Sequence, residues 1–233
     1  MFKVFLELIV IMKKRLLVIF LFVGCFALRA QTEVKHAKNY INEDFDHYIK
    51  KGHTTCAEKA DENYGLYDCG PVWSMSVSEM SVKTTSFLKN YKANNILDQL
   101  INTAWISDSI NVIGQKIVIN CIDAEICSEE NPDYINQITF LNGYSKNKIS
   151  WKEYGRVKKV RMYINGAFYT DIELNDYFGF QNVALKKINF LKSKYYQKNR
   201  KMIFTFEILE IYKGSKYQNV AIASIDFDGN SVN

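Results

Sequence analysis

Histidine and proline are scarce in this chain, with 3 of the first and 2 of the second among 233 residues. The histidines, His36, His47 and His53, stand away from the later cysteines, and no CxxC pair occurs, so a structural zinc site is not expected. There is no nucleotide-binding loop, no acid–base pair and no nucleophile constellation that can be singled out. An enzyme assignment therefore has nothing to stand on. No internal repeat or low-complexity linker is visible either, and the simplest organisation is one domain with an amino-terminal extension.

Long apolar runs are missing except at the start. Met12-Lys13-Lys14-Arg15, followed by the apolar residues 16–28, has the basic start and short hydrophobic stretch of a secretory signal. That stretch falls short of the ~20 apolar residues of a membrane span. Residues 1–30 are expected to be a signal peptide cut after Ala30, with 1–11 arising from an upstream start codon. Lipidation at Cys25 within Phe22-Val23-Gly24-Cys25 is less favoured, because an apolar segment follows where a polar tether belongs. A secreted, periplasmic or cell-envelope location follows, without stable membrane insertion.

Charge of one sign is also lacking once the leader is set aside. The leader carries Lys3, Lys13, Lys14, Arg15 and Arg29 against Glu7, which is four of the five net positive charges of the whole chain. The remainder is close to neutral. Such a protein has no strong electrostatic reason to bind nucleic acid or anionic lipid.

Four cysteines remain: Cys56, Cys69, Cys121 and Cys127. An even number in an exported chain favours disulfides. Of three possible pairings, Cys56–Cys69 with Cys121–Cys127 closes the shortest loops. Each bridge would contribute roughly 2–4 kcal/mol by restricting the unfolded chain.

Residues 34–50 read as an amphipathic helix, since Val34, Ala37, Ile41, Phe45 and Tyr48 recur at three- and four-residue steps. Thr32 is its candidate N-cap and Gly52 its stop. Residues 52–71 are polar and turn-rich. From residue 72 the pattern changes to short apolar or alternating runs at 72–80, 115–120, 137–141, 157–165, 167–174, 181–185, 202–212 and 220–227. Val160, Met162 and Ile164 share a face, as do Ala221, Ala223, Ile225 and Phe227, which is the period-two pattern of half-buried strands. The run at 202–212 is apolar on both faces for much of its length, as a central strand requires. Asn165-Gly166 is a two-residue hairpin signal. Eight short strands with few long helices indicate an all-β sandwich or jelly roll over 72–233, preceded by an extension over 31–71.

Three signatures recur in order along this strand-rich part. They are Asn95-Ile96-Leu97-Asp98 with Thr103-Ala104-Trp105, Asn142-Gly143-Tyr144 with Arg156-Val157-Lys158, and Glu210-Ile211-Tyr212-Lys213-Gly214 before the final alternating run. Together they resemble the NADase-type glycan-binding domain, a discoidin-like β-sandwich module of bacterial secreted proteins. The resemblance implies a non-catalytic module that binds glycans through loops at one end, and it does not imply NADase activity. Related modules hold calcium with an Asp, a Thr and a carboxyl-terminal Glu. Here Asp98 and Thr103 are retained, but Ser224 stands where the Glu is expected, Gln99 follows Asp98, and Gly155 replaces the usual Asn before the Arg. Calcium prefers several charged oxygens. No cofactor is therefore expected, and Asp98 is read first as capping a turn through its own backbone; a calcium ion held by Asp98 and Thr103 is the weaker alternative.

The candidate glycan contacts are Tyr144, Trp151 and Arg156, which flank or lie in a polar, lysine-rich loop. Aromatic faces suit the C–H surface of a sugar and a guanidinium suits its hydroxyls. The competing reading has Tyr144 and Arg156 fixing the loop, and Trp105 is read as core. Asp226 to Asn230 is read as a strand end and turn. The basic stretch of Lys186, Lys187, Lys192, Lys194, Lys198, Arg200 and Lys201 is read as a solvated hairpin. The expected partner is a glycan or glycosylated surface. The rival is an envelope protein bound without any sugar.

Overall fold

A computed structural model describes residues 33–39, 45, 49, 77–108, 111–123, 134–189 and 201–230. The expected signal peptide, Cys56, Cys69, Cys127, and the basic stretch between residues 190 and 200 lie outside them. Among the described residues eleven strands run in chain order: β1 (Lys35–His36), β2 (Lys38–Asn39), β3 (Val77–Thr84), β4 (Trp105–Ile106), β5 (Lys116–Asp123), β6 (Tyr134–Asn142), β7 (Arg156–Ile164), β8 (Ala167–Glu173), β9 (Phe180–Asn189), β10 (Lys201–Tyr212) and β11 (Ala221–Asn230). One short helix, α1 (Lys148–Glu153), joins β6 to β7.

The strands form two sheets, ordered β1-β8-β7-β10-β5-β3 and β2-β9-β6-β11-β4. All pairings between these strands are antiparallel except β1 with β8. This is the expected sandwich. Its interior follows from alternation, because successive side chains of a strand point to opposite faces. On β10, Met202, Phe204, Phe206 and Ile208 are buried while Ile203, Thr205 and Glu207 face outward and are half-buried. Phe206 meets Phe140 of the other sheet at 5.8 Å, and Phe204 meets Phe227 at 4.5 Å. Each such ring contributes roughly 2–3 kcal/mol through burial. On β7 the outward Lys159 and Arg161 pair with Glu173 and Asp171 of β8. The β7–β8 turn has Asn165 and Gly166 both at positive φ, 49° and 80°, as a tight hairpin demands.

Four expectations are corrected. Residues 34–39 are not helical: Lys35–His36 and Lys38–Asn39 add short strands to the edges of the two sheets, and Ala37 between them is buried. Of the apolar residues in that pattern, Ala37 is buried and Val34 half-buried, but in extended chain, because open sheet edges offer backbone partners that the pattern does not encode. Of the rest of that segment, Phe45 and Ile49 are described, both in helical conformation, and both rest against the outer face of the five-stranded sheet. Second, Cys121 is a free, fully buried thiol of β5 within the inter-sheet core, so the expected bridge to Cys127 is absent.

Third, β11 breaks its alternation. Ile222 and Ile225, three residues apart, both join the inter-sheet core, and Ala221 and Ala223 turn to the outer cluster. Fourth, Asp228-Gly229 does not end the strand, which continues to Asn230 through a bulge between those two residues. An added Cβ on Gly229 would lie 1.7 Å from the Tyr134 carbonyl oxygen, so the bulge depends on glycine. No helix among the described residues is long and apolar enough to cross a membrane.

Candidate functional site

The pairing directions put four connections at one end of the sandwich: β3 to β5, β6 to β7, β8 to β9, and β10 to β11. The sequence motifs turn out to be the fittings that hold these loops. Asn142, at the end of β6, grips Val157 of β7 from both sides, its Nδ2 donating to the Val157 carbonyl (2.7 Å) and its Oδ1 accepting from the Val157 N–H (3.0 Å). Gly143 follows at φ +104°, where a Cβ would come within 2.6 Å of the Trp151 ring. Tyr144 then leaves the sheet.

The helix α1 begins at Asn147, whose side chain accepts the Ser150 N–H at 2.8 Å, satisfying one of the free donors of the first turn. Its last carbonyls are covered by the β10–β11 loop. The Ser215 N–H donates to the Lys152 carbonyl, and the Lys216 and Tyr217 N–H groups donate to the Glu153 carbonyl. This needs close approach: a Cβ on Gly214 would sit 2.3 Å from the Glu153 carbonyl oxygen. That contact explains the glycine of the Tyr-Lys-Gly signature, while the Tyr212 hydroxyl donates to the Leu174 carbonyl at 3.1 Å.

Trp151 and Arg156 point inward. Trp151 is 7% exposed, and its indole N–H donates to the Asn142 carbonyl at 2.8 Å. Arg156 is 6% exposed and lies over the Trp151 ring at 4.5 Å. Its Nε and Nη2 fork onto the Asp176 carboxylate (2.7 and 3.1 Å), while Nη1 donates to the carbonyls of Tyr154 (2.7 Å) and Trp151 (3.3 Å). These two residues are positioned to brace the β6–β7 and β8–β9 loops against one another. Trp105 is fully buried and donates to the Ser86 carbonyl at 2.7 Å, which ties the β3–β5 connection.

Tyr144 is different. It is half-buried and meets Tyr91 edge-on at 5.7 Å and Tyr154 edge-on at 5.8 Å; Tyr154 in turn stacks on Tyr217 at 4.5 Å. Four partly exposed tyrosines from three loops thus form a row. Burial, with Tyr91 beside it, pushes the Tyr144 phenol above its ordinary value, and burial together with neighbouring phenols does the same at Tyr154. Tyr91, Tyr154, Tyr217 and the bracing Asp176 were not anticipated from sequence. Their common signal is only that each is a polar-tipped residue in a loop, and nothing in linear spacing says that these loops share an end.

The Asp98–Thr103 turn is closed on itself. Asp98 accepts from the Leu100 N–H at 2.9 Å and from the Thr103 hydroxyl at 2.9 and 3.0 Å. Ser224, in the position of the expected Glu, donates to Asp226. Asp226 lies within electrostatic reach of Asp98, and its carboxyl is pushed up to about 6, chiefly by burial, with the Asp98 charge adding and the Ser224 hydrogen bond opposing. Two carboxylates and two hydroxyls, one carboxylate already committed to its turn, fall short of the roughly six to eight oxygens that calcium takes. Among the described residues no three of His, Cys, Asp and Glu converge as metal ligands.

No curated protein matches this sequence. Among solved structures, the family 32 carbohydrate-binding module of Clostridium perfringens NanJ, in complex with galactose, is 15% identical with a TM-score of 0.44, covering 64% of this chain and 93% of that one. Another family 32 module, from a family 31 glycoside hydrolase of the same organism, is 17% identical with a TM-score of 0.44, covering 67% and 97%. The paired family 32 modules of C. perfringens ZmpB, in complex with GalNAc, are 10% identical with a TM-score of 0.43, and this chain covers 41% of that longer one. The family profile of the NAD glycohydrolase translocation F5/8 type C domain matches residues 66–228, more than two-thirds of the sequence, and the chain belongs to that family.

Proposed function

We propose that this protein is an exported, non-catalytic glycan-binding module whose ligand surface is the loop end of the sandwich. The observation that carries this is the row Tyr91–Tyr144–Tyr154–Tyr217, four half-exposed rings assembled from three separate loops. Aromatic side chains offer large apolar area with little entropy to lose, and their hydroxyls reach sugar hydroxyls. Of the three contacts expected from the sequence, Tyr144 keeps an outward place; Trp151 and Arg156 act by holding the loop that presents it. The raised phenols of Tyr144 and Tyr154 stay protonated at neutral pH, which suits hydrogen bonding and not nucleophilic attack.

Galactose and GalNAc, present in the solved structures named above, are the first sugars to test. A broad glycan array followed by isothermal titration should give saccharide binding that Tyr154→Ala weakens by about tenfold or more, the size expected for losing one stacking ring. A folded sample that binds nothing across the array would refute the proposal.

A further inference from the structure

The tyrosine row has a charged frame that neutral-sugar binding does not use. The two loops supplying Tyr144, Tyr154 and Tyr217, residues 143–155 and 213–220, contain Lys146, Lys148, Lys152, Lys213 and Lys216 against a single acid, Glu153. All five lysines are exposed. Glu153 is engaged by Lys216, whose ammonium also sits 5.0 Å from the Tyr217 ring. Lys146, Lys148, Lys152 and Lys213 have no carboxylate partner among the described residues, in contrast to the sandwich body, where Lys158, Lys159 and Arg161 all pair with acids. The chain beyond its leader is close to neutral, so this concentration of unpaired positive charge is local and not a consequence of overall composition.

The geometry points to an anionic saccharide, one carrying carboxylate or sulfate groups, as the ligand class of the tyrosine row. This rests on the glycan-binding reading above. The rings would take the apolar faces of successive sugar units. The lysines, compact ammonium charges on flexible stems, would meet acidic groups along the chain without demanding one fixed geometry. A near-neutral protein lacks the wider field that nucleic acids select. One strongly exposed apolar side chain in these loops, Ile149 at 72%, is too little to insert into a bilayer.

Titration of the full chain with length-matched oligosaccharides separates the cases: neutral galactan, polygalacturonate for carboxylate, and sulfated galactan for sulfate. At least one acidic set should bind about tenfold or more tightly than the neutral set at low salt, and the gap should close near 0.5 M NaCl, where exposed charges are screened. The combined variant Lys146→Ala, Lys148→Ala, Lys152→Ala and Lys213→Ala should narrow that gap to about twofold while circular dichroism stays unchanged. Equal affinity for neutral and acidic sets, or a gap that survives the lysine variant, overturns the anionic class and leaves glycan binding standing. Equal affinity for single-stranded DNA or phosphatidylserine vesicles, with the same salt slope, also overturns it. Failure of every saccharide to bind a folded sample removes the glycan reading itself and the inference with it.

Discussion

Arg156 lies over the Trp151 ring at 4.5 Å and at the same time forks onto Asp176 from another loop. The cation therefore serves as a rivet between the β6–β7 and β8–β9 connections, with its apolar face on indole and its donors on one carboxylate and two carbonyls. Arg156→Lys keeps the charge but loses the planar fork and the stacking. We expect it to destabilise the fold by about 2–3 kcal/mol, measured by urea denaturation, since the cation site is nearly buried and two carbonyls lose their donor, while Asp176, 43% exposed, can turn to water. A loss under about 0.5 kcal/mol would mean that the rivet holds nothing.

Two glycines offer a paired test of close packing against backbone conformation. Gly143 and Gly166 both have positive φ, but only Gly143 has a neighbour, the Trp151 ring, inside contact distance of an added Cβ; at Gly166 nothing lies within 4 Å. Gly166→Ala should cost only the conformational penalty, about 1 kcal/mol. Gly143→Ala adds a clash with a braced indole and should cost roughly 3 kcal/mol or more. Similar losses for the two variants would show that the Trp151 contact does not constrain Gly143.

Much of the sandwich was legible in the sequence because alternation is a local signal. All eight predicted runs contain or overlap an observed strand, and Val160, Met162 and Ile164 of β7 share the inward face expected of them. The two-residue strands β1, β2 and β4 were invisible, since two residues carry no period. The face switch in β11 was hidden for a related reason: its residues are apolar on both sides, serving two clusters at once. At the loop end, the motifs mark residues that the structure brings together, and the sequence leaves Arg156 open between contacting a ligand and fixing the loop. Trp151 and Arg156 are residue types that suit a ligand, and the same donors and rings suit a brace; their partners Asn142 and Asp176 are distant in sequence, so linear spacing does not show the bracing contacts.

Cys121 carries a thiol that burial alone pushes well up, in a strand closed by both sheets. Thiol reactivity follows the thiolate and access to it. In the native protein Cys121 should resist a maleimide reagent for hours at pH 7.5 and react within minutes in about 6 M urea, read as a mass shift of the peptide containing it. Rapid native labelling would show that β5 opens far more readily than its burial implies.

The Asp98–Thr103 turn leads to an expectation about metal. A ligand that binds only the folded state raises stability as its concentration exceeds its dissociation constant. Because Asp98 is already satisfied by Leu100 and Thr103, millimolar calcium should shift the thermal midpoint by less than about 1 °C relative to EDTA. A rise of several degrees, lost in Asp98→Asn, would establish a calcium site that these donors do not foretell.

Asp226 gives the protein a pH dependence of definite sign. Its folded-state carboxyl titrates at about 6, above the ~3.9 of an unfolded aspartate, so the folded state holds the proton more firmly. Between roughly pH 4 and pH 6 unfolding releases that proton, and stability from this group falls as pH rises through the window. Above pH 6 the ionised carboxylate is a net cost, set mainly by its loss of water and secondarily by Asp98. Asp226→Asn retains an acceptor for the Ser224 hydroxyl and removes the charge. The variant should exceed the parent by on the order of 1–3 kcal/mol at pH 7.5, with the difference shrinking towards pH 4, in parallel urea titrations of both proteins. A difference independent of pH would mean that the Asp226 carboxyl is solvated and unperturbed, and one that grows on acidification would mean that the fold favours its ionised form, against its burial in β11.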